Sequence, residues 1–168
     1  RSHYCLDAST GAPPDPLGPL GQNWQLPPLH PVALQQTGFR AFIDLLRENM
    51  RLYGVLRIDH VMALSRLWWV VLGENAANGA YVHYPLEAMM AILALESHRH
   101  QCVVIGEDLG TVPDNMREAL FRYQVFTYSV LYFNRHSNGY TLPEHYPEQS
   151  ITVTSTHDVA PLAGFWRC

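Results

Sequence analysis

The sequence predicts an α/β fold with parallel strands, read as part of a barrel. Three apolar runs carry that reading, each ending in a charged cluster: GVLRIDH at 54–60, CVVIGEDLG at 102–110 and ITVTSTHD at 151–158. Stretches of helical period lie between the runs, and strands that alternate with helices form parallel sheets covered on both faces. A barrel and a doubly wound sheet both satisfy that pattern. No GxGxxG or GxxxxGK follows any of the runs, which weakens the nucleotide-binding sheet and favours a barrel piece.

Residues 11–31, GAPPDPLGPLGQNWQLPPLHP, hold seven prolines. Proline fixes φ and removes a donor, so this stretch is expected to be a loop of defined path rather than a helix or central strand. A loop that long serves as a lid or a linker. From Gly38, the positions Phe39, Phe42, Ile43, Leu46 and Met50 follow an amphipathic helix, with Thr37 as its cap. The GVLRIDH strand follows.

After a connection rich in aromatics, Pro85 opens a second helix, LEAMMAILALES, which runs to about His98 and feeds the CVVIGED strand. Pro113 to Tyr123 makes a third, shorter helix with acids early and Arg122 late, as the helix macrodipole favours. YSVLYF from Tyr128 reads as another strand. Residues 134–150 show no helical period, so the crossover to ITVTS is expected to lack a full helix.

The composition sets limits on partners. Of 168 residues, 48% are hydrophobic and 15% charged, the balance of a core-rich globular chain. The formal charge is -4 and the sequence holds no lysine, which argues against a nucleic-acid footprint. No apolar run reaches the roughly 18 residues of a membrane span, and no signal-peptide layout opens the chain. Cys5, Cys102 and Cys168 are far apart, odd in number and free of CxxC spacing, so neither a disulfide framework nor a zinc site is expected. The nine histidines form no HExxH or ligand cluster, and no metal is expected. A cytoplasmic location follows as the expectation.

The strand ends carry the chemistry. Side chains alternate along a strand, so Arg57 and Asp59 point together, and a guanidinium beside a carboxylate favours its ionised form. Asp59 is thus a candidate nucleophile or electrostatic stabiliser, with a structural ion pair as the plainer reading. Glu107 shares a face with Val103 and Ile105 behind Gly106, surroundings that raise a carboxyl pKa and suit a general acid. Its plainer reading is a salt bridge. Asp108 points the other way and reads as a turn or capping residue. Asp158 lies on the face of Thr152, Thr154 and Thr156, with His157 directed away unless the chain has turned. A carboxylate paired with a carboxylic acid is the apparatus of glycoside chemistry. Trp24, Trp68, Trp69, Tyr81 and Tyr84 supply flat faces for sugars, although at least one of Trp68 and Trp69 reads as core and Trp24 is the better stacking candidate.

GAPPD at 11–15, GQNW at 21–24, RIDH at 57–60, GEDLG at 106–110 and THD at 156–158, in this order and spacing, resemble the 4-α-glucanotransferases called amylomaltases or disproportionating enzymes. The likeness runs through essentially the whole chain and is nearest to the bacterial maltodextrin-using branch. It implies a (β/α)8 TIM-type barrel of which residues 1–168 are a central portion, with 11–31 as a loop over the active site and both ends cut within a longer protein. It implies Asp59 as nucleophile, Glu107 as acid/base and Asp158 as a third carboxylate holding sugar hydroxyls. Arg57, His60 and His157 would contact the sugar, and the loop bearing Asp15 and Trp24 would fold over the glucan and keep water out. Gln25 and the stretch VMALSRLWW depart from the family pattern, so the catalytic carry-over is firmer than the acceptor-site details.

The activity so implied is transfer of a 1,4-α-glucan segment to the 4-hydroxyl of an acceptor by a retaining double displacement, with no cofactor. A maltodextrin or starch-like glucan would be the donor and glucose or maltodextrin the acceptor. Open sheet edges on a partial barrel would favour self-association. The competing readings are a glucan hydrolase of the amylase-like group, a glucan-binding module and a non-catalytic fragment.

Overall fold

The computed structural model describes residues 3–15, 18–137 and 139–167. Pro16 and Leu17 of the proline-rich loop, and Cys168 of the cysteine reading, lie outside the described residues. In chain order the strands and helices are β1 Ala8–Ala12, β2 Gln22–Asn23, α1 Pro31–Gln36, α2 Arg40–Met50, β3 Val55–Ile58, β4 Arg66–Val71, β5 Ala80–His83 and α3 Leu86–His100. They continue as β6 Val103–Gly106, α4 Asp114–Arg122, β7 Thr127–Val130, β8 Arg135–His136, β9 Gly139–Tyr140, β10 Ser150–Val153 and α5 Leu162–Phe165. The chain divides into two compact units, Arg1–Gly54 with Met62–Cys102, and Val55–Val61 with Val103–Cys168.

The first unit holds an antiparallel sheet in the order β2-β1-β4-β5, which corrects two expectations. The proline-rich segment is not loop throughout: its ends form β1 and β2, which pair Gly11 with Asn23 and Ala12 with Gln22. Only glycine permits that approach, since a Cβ at Gly11 would lie 2.0 Å from the Gln22 carbonyl oxygen. The aromatic-rich connection is itself a hairpin, β4–β5, with Trp68 opposite Tyr81 and Trp69 opposite Ala80. Aromatic and β-branched side chains suit a half-covered sheet. Neither tryptophan is core: both are half-buried, and each indole N–H finds an acceptor, Trp68 at the Ala76 carbonyl and Trp69 at the Tyr84 hydroxyl.

The unforeseen α1 begins with Pro31 at its first position, where the missing N–H costs nothing. Thr37 closes this helix rather than opening the next, its hydroxyl donating to the Ala33 carbonyl. Gly38 and Phe39 both take left-handed φ, 59° and 60°, to redirect the chain into α2. Phe42, Leu46 and Met50 of α2 are buried, as are Met89, Met90 and Leu93 of α3.

The two helices are pinned by Glu96, which is 1% exposed. Its carboxylate accepts a bidentate pair from Arg47 Nε and Nη2, both at 2.9 Å, and a third bond from Arg99 Nη1 at 2.9 Å. Those guanidinium bonds hold the Glu96 pKa below the usual carboxylate value, outweighing the opposite push of burial. A depressed pKa contributes stability that is full above the unfolded-state value and is lost as pH falls through the folded one. Glu96→Gln is therefore expected to cost roughly 1–3 kcal/mol at neutral pH. In urea unfolding of the full-length protein, the gap to wild type should narrow as the pH is lowered.

The second unit is parallel throughout its main strands. β3 pairs β6 from Val55↔Val103 to Ile58↔Gly106, and β7 pairs β10 from Thr127↔Ser150 to Val130↔Val153. A parallel bridge between Ile105 and Phe126 joins the two pairs into the array β3-β6-β7-β10. Phe126 N–H donates to the Val104 carbonyl at 3.0 Å, and Gly106 N–H donates to the Phe126 carbonyl at 2.8 Å. Met116, Ala119 and Leu120 of α4 are buried. The crossover from β7 to β10 has no full helix, as its composition predicts; its described residues carry the β8–β9 hairpin and a 3₁₀ turn at Pro143–His145. No helix among the described residues is long and apolar enough to cross a membrane.

Candidate active site

The ends of β3 and β6 bring Glu107 and the segment from Arg57 to His60 together within the second unit. Glu107 follows β6 directly and is 8% exposed. Its backbone N–H donates to the Ile58 carbonyl, and its carbonyl accepts from Val61 N–H, each at 2.9 Å. Its side chain is equally constrained. Oε2 accepts from His60 N–H and Oε1 from Leu109 N–H, each at 2.7 Å. Gly106 is small for a reason: a Cβ there would meet the Val61 side chain at 3.0 Å.

Burial is the largest influence on Glu107 and pushes its pKa up. The His60 and Leu109 amides oppose that push, the Asp59 charge adds to it, and Arg57 acts slightly against it; the net direction is upward. A protonated carboxyl held by backbone amides is the form that can donate to a leaving oxygen.

Asp59 contrasts with it. Its side chain is 66% exposed, and its Oδ1 lies 2.7 Å from Arg57 Nη1. Arg57 is also stacked over the Tyr128 ring, 5.0 Å from the centroid. One neighbouring carboxyl is thus dry and the other wet and ion-paired, the division of labour that separates an acid from a nucleophile. The next residue, His60, has φ 47°. That left-handed turn, uncommon outside glycine, aims its N–H at Glu107. Burial lowers the His60 imidazole pKa against the opposing Asp59 charge, which favours the neutral ring.

Other expected positions fall differently. β10 ends at Val153, so strand alternation does not orient Asp158 as the sequence reading supposed. Asp158 and His157 stand in an exposed turn, with His157 Nε2 3.4 Å from Asp158 Oδ1 and Asp158 N–H on the Thr156 hydroxyl. Asp108 is more than a turn residue. It is 4% exposed and ties α4 to β7, accepting from Arg117 Nε at 3.1 Å and from Tyr128 N–H at 3.0 Å. Asp15 and Trp24 belong to the first unit. Asp15 Oδ1 accepts from Gly18 N–H at 2.6 Å, and the Trp24 indole donates to Gln22 Oε1 at 2.9 Å.

Tyr128 and the backbone of His60 escaped the sequence reading. Nothing in the sequence alone marks Tyr128, since its place beside Arg57 follows from the Ile105–Phe126 bridge that only the fold shows. No sequence pattern announces an aimed backbone N–H.

The family model for 4-alpha-glucanotransferase matches residues 1–168. The chain belongs to that family. It is 56% identical over 165 residues to the 4-alpha-glucanotransferase of Haemophilus influenzae, covering 98% of this chain and 24% of that protein. Against the 4-alpha-glucanotransferase of Mycobacterium tuberculosis it is 40% identical over 162 residues, 94% of this chain and 22% of the relative. Among solved structures, the amylomaltase of Corynebacterium glutamicum superposes with a TM-score of 0.92 at 38% identity, over 99% of this chain and 24% of that one. The amylomaltase of Streptococcus agalactiae, solved in complex with acarbose, shares the fold with a TM-score of 0.79 at 22% identity, over 91% of this chain and 31% of that one. The chain thus spans about a quarter to a third of the length of these 4-alpha-glucanotransferases and amylomaltases.

Proposed function

We propose that the full-length protein carrying this chain transfers a segment of a 1,4-α-glucan to the 4-hydroxyl of an acceptor glucan or glucose, with retention at the anomeric carbon. One observation supports this most: a buried Glu107 with a raised pKa and an exposed, arginine-paired Asp59 at the ends of adjacent parallel strands. The array β3-β6-β7-β10 would then be an arc of a (β/α)8 barrel whose site lies at the C-terminal strand ends.

In the first half-reaction Glu107 gives its proton to the glycosidic oxygen while an Asp59 oxygen attacks the anomeric carbon. The bond to the leaving glucan breaks as a glucosyl ester forms on Asp59. In the second, the acceptor 4-hydroxyl passes its proton to Glu107 and its oxygen displaces Asp59, which returns ionised. Water in place of the acceptor gives hydrolysis. Asp158 would hold sugar hydroxyls, and Arg57, His60 and His157 would line the reacting ring. Asp15 and Trp24 remain candidates for glucan contact from the proline-rich segment.

Incubating the full-length protein with maltotriose alone tests the reading. Transfer yields a ladder of longer glucans together with glucose. Products no longer than the donor, with reducing ends rising in step with bond cleavage, would mean hydrolysis instead.

A further inference from the structure

We propose that Tyr128 is a positioning residue for the Arg57–Asp59 pair, an inference that rests on the reading of Asp59 as nucleophile. The Arg57 guanidinium has few anchors. Nη1 meets Asp59 at 2.7 Å, and Nε is buried and donates to no acceptor among the described residues. Asp59 is itself largely in solvent, so it is a poor brace for a long side chain. The face of the Tyr128 ring, 5.0 Å from Arg57 Cζ, supplies the remaining hold. A cation over an aromatic face is attracted by the ring quadrupole, and more strongly where water is partly excluded.

The register explains how two residues from non-adjacent strands meet. Arg57 is level with Ile105, and Ile105 is bridged to Phe126. In-register residues of parallel strands point to the same side, and Tyr128, two residues past Phe126, shares that side. Strands two apart lie about 10 Å from each other, a span that an arginine and a tyrosine close over the intervening β6.

Tyr128 is well fixed in turn. Its backbone N–H donates to the buried Asp108 carboxylate, which Arg117 also holds, and it pairs with Ile151 of β10. A line of contacts therefore runs from the anchored Asp108, through the Tyr128 ring, to Arg57 and Asp59. The ring sets the plane of the guanidinium, and the guanidinium sets the direction in which Asp59 presents its attacking oxygen. Misdirected nucleophiles lose turnover rather than affinity.

The test is steady-state transfer from maltotriose by the full-length protein. Tyr128→Phe, which keeps the ring, should stay within about twofold of wild-type kcat, and Tyr128→Leu should lose roughly tenfold in kcat with KM unchanged. In an Arg57→Ala background, Tyr128→Leu should cause no further loss, since the ring has nothing left to orient. An equal loss in both backgrounds would make the ring a packing residue and overturn the proposal, as would a wild-type kcat for Tyr128→Leu. Should Tyr128→Leu fail to fold, pentafluorophenylalanine at position 128 keeps the shape while reversing the quadrupole: a fall in kcat supports the proposal and an unchanged kcat overturns it. Asp59→Asn separates the two levels. If that variant stays active, the nucleophile reading fails and the proposal with it. If it is inactive while Tyr128→Leu is fully active, the positioning role alone fails.

Discussion

Asp59→Asn in the full-length protein is expected to lower glucan transfer by roughly 10³-fold or more, while leaving the fold intact. An amide oxygen is too weak a nucleophile to form the glucosyl ester, and no other group at the end of β3 takes its place. Stability should hardly respond. The Asp59 side chain is 66% exposed although Arg57 is only 32% exposed, and an ion pair with one partner so largely in solvent contributes about 0–1 kcal/mol. Thermal unfolding of the variant therefore separates lost chemistry from lost structure: the melting curve should overlay wild type while the maltotriose ladder disappears.

Glu107→Gln is expected to fail in both respects. Losing the proton that reaches the leaving oxygen should lower kcat by about 10²–10⁴-fold. The stability cost has a separate origin. Both Glu107 oxygens accept a backbone N–H, from His60 and from Leu109, and glutamine replaces one acceptor with an NH₂ that faces an N–H. A buried donor opposed by a donor costs roughly 1–3 kcal/mol. Chemical denaturation should show that loss, and it should be absent from Asp59→Asn.

The pH dependence carries the same signature. Because burial raises the Glu107 pKa, its protonated form persists to higher pH than that of an ordinary glutamate, and transfer should decline as pH rises through the folded-state value. The same shift means that the folded state favours protonated Glu107. Its contribution to stability is full below the unfolded pKa and is lost as pH rises through the folded one. The alkaline limb of the rate profile should therefore disappear in Glu107→Gln when the donor's leaving group needs no proton.

Strands β3, β6 and β10 were legible from the three apolar runs that end in charge, and YSVLYF marks β7, although Leu131–Phe133 at its end form a 3₁₀ turn. The cover expected on both faces is incomplete: β3 and β10 hold no buried residue, and Val55 and Val103 are exposed. Helix α2 was legible from its 3.6-residue period, α3 from Pro85 ahead of a long apolar run, and α4 from acids early and Arg122 late. The antiparallel sheet was not. Its strand β4 places Trp68 and Trp69 side by side, which hides the alternation that betrays a strand, and β1 and β2 are short pieces flanking prolines. Pro31 closes the proline-rich run in sequence, yet in the fold it is the first residue of α1. At the site, the adjacency of the two strand ends was legible: β3 pairs with β6, and the His60 N–H next to Asp59 reaches Glu107 Oε2. The face assigned to Asp158 assumed that strand geometry continues past Val153, where the chain has already turned. Sequence alone marks Asp108 as a turn or capping residue, because it cannot show that Arg117 and the Tyr128 amide converge on it.

In the proposed mechanism Asp59 is the group that takes the sugar. The most direct measurement uses Glu107→Gln in the full-length protein with α-glucosyl fluoride, whose leaving group needs no acid, so that the ester forms and then waits for a base that is missing. Proteolysis and mass spectrometry should find one hexosyl unit on the peptide containing Asp59 and none on those containing Glu107 or Asp158. Fluoride release with the sugar on another residue, or with no sugar retained, would contradict the assignment.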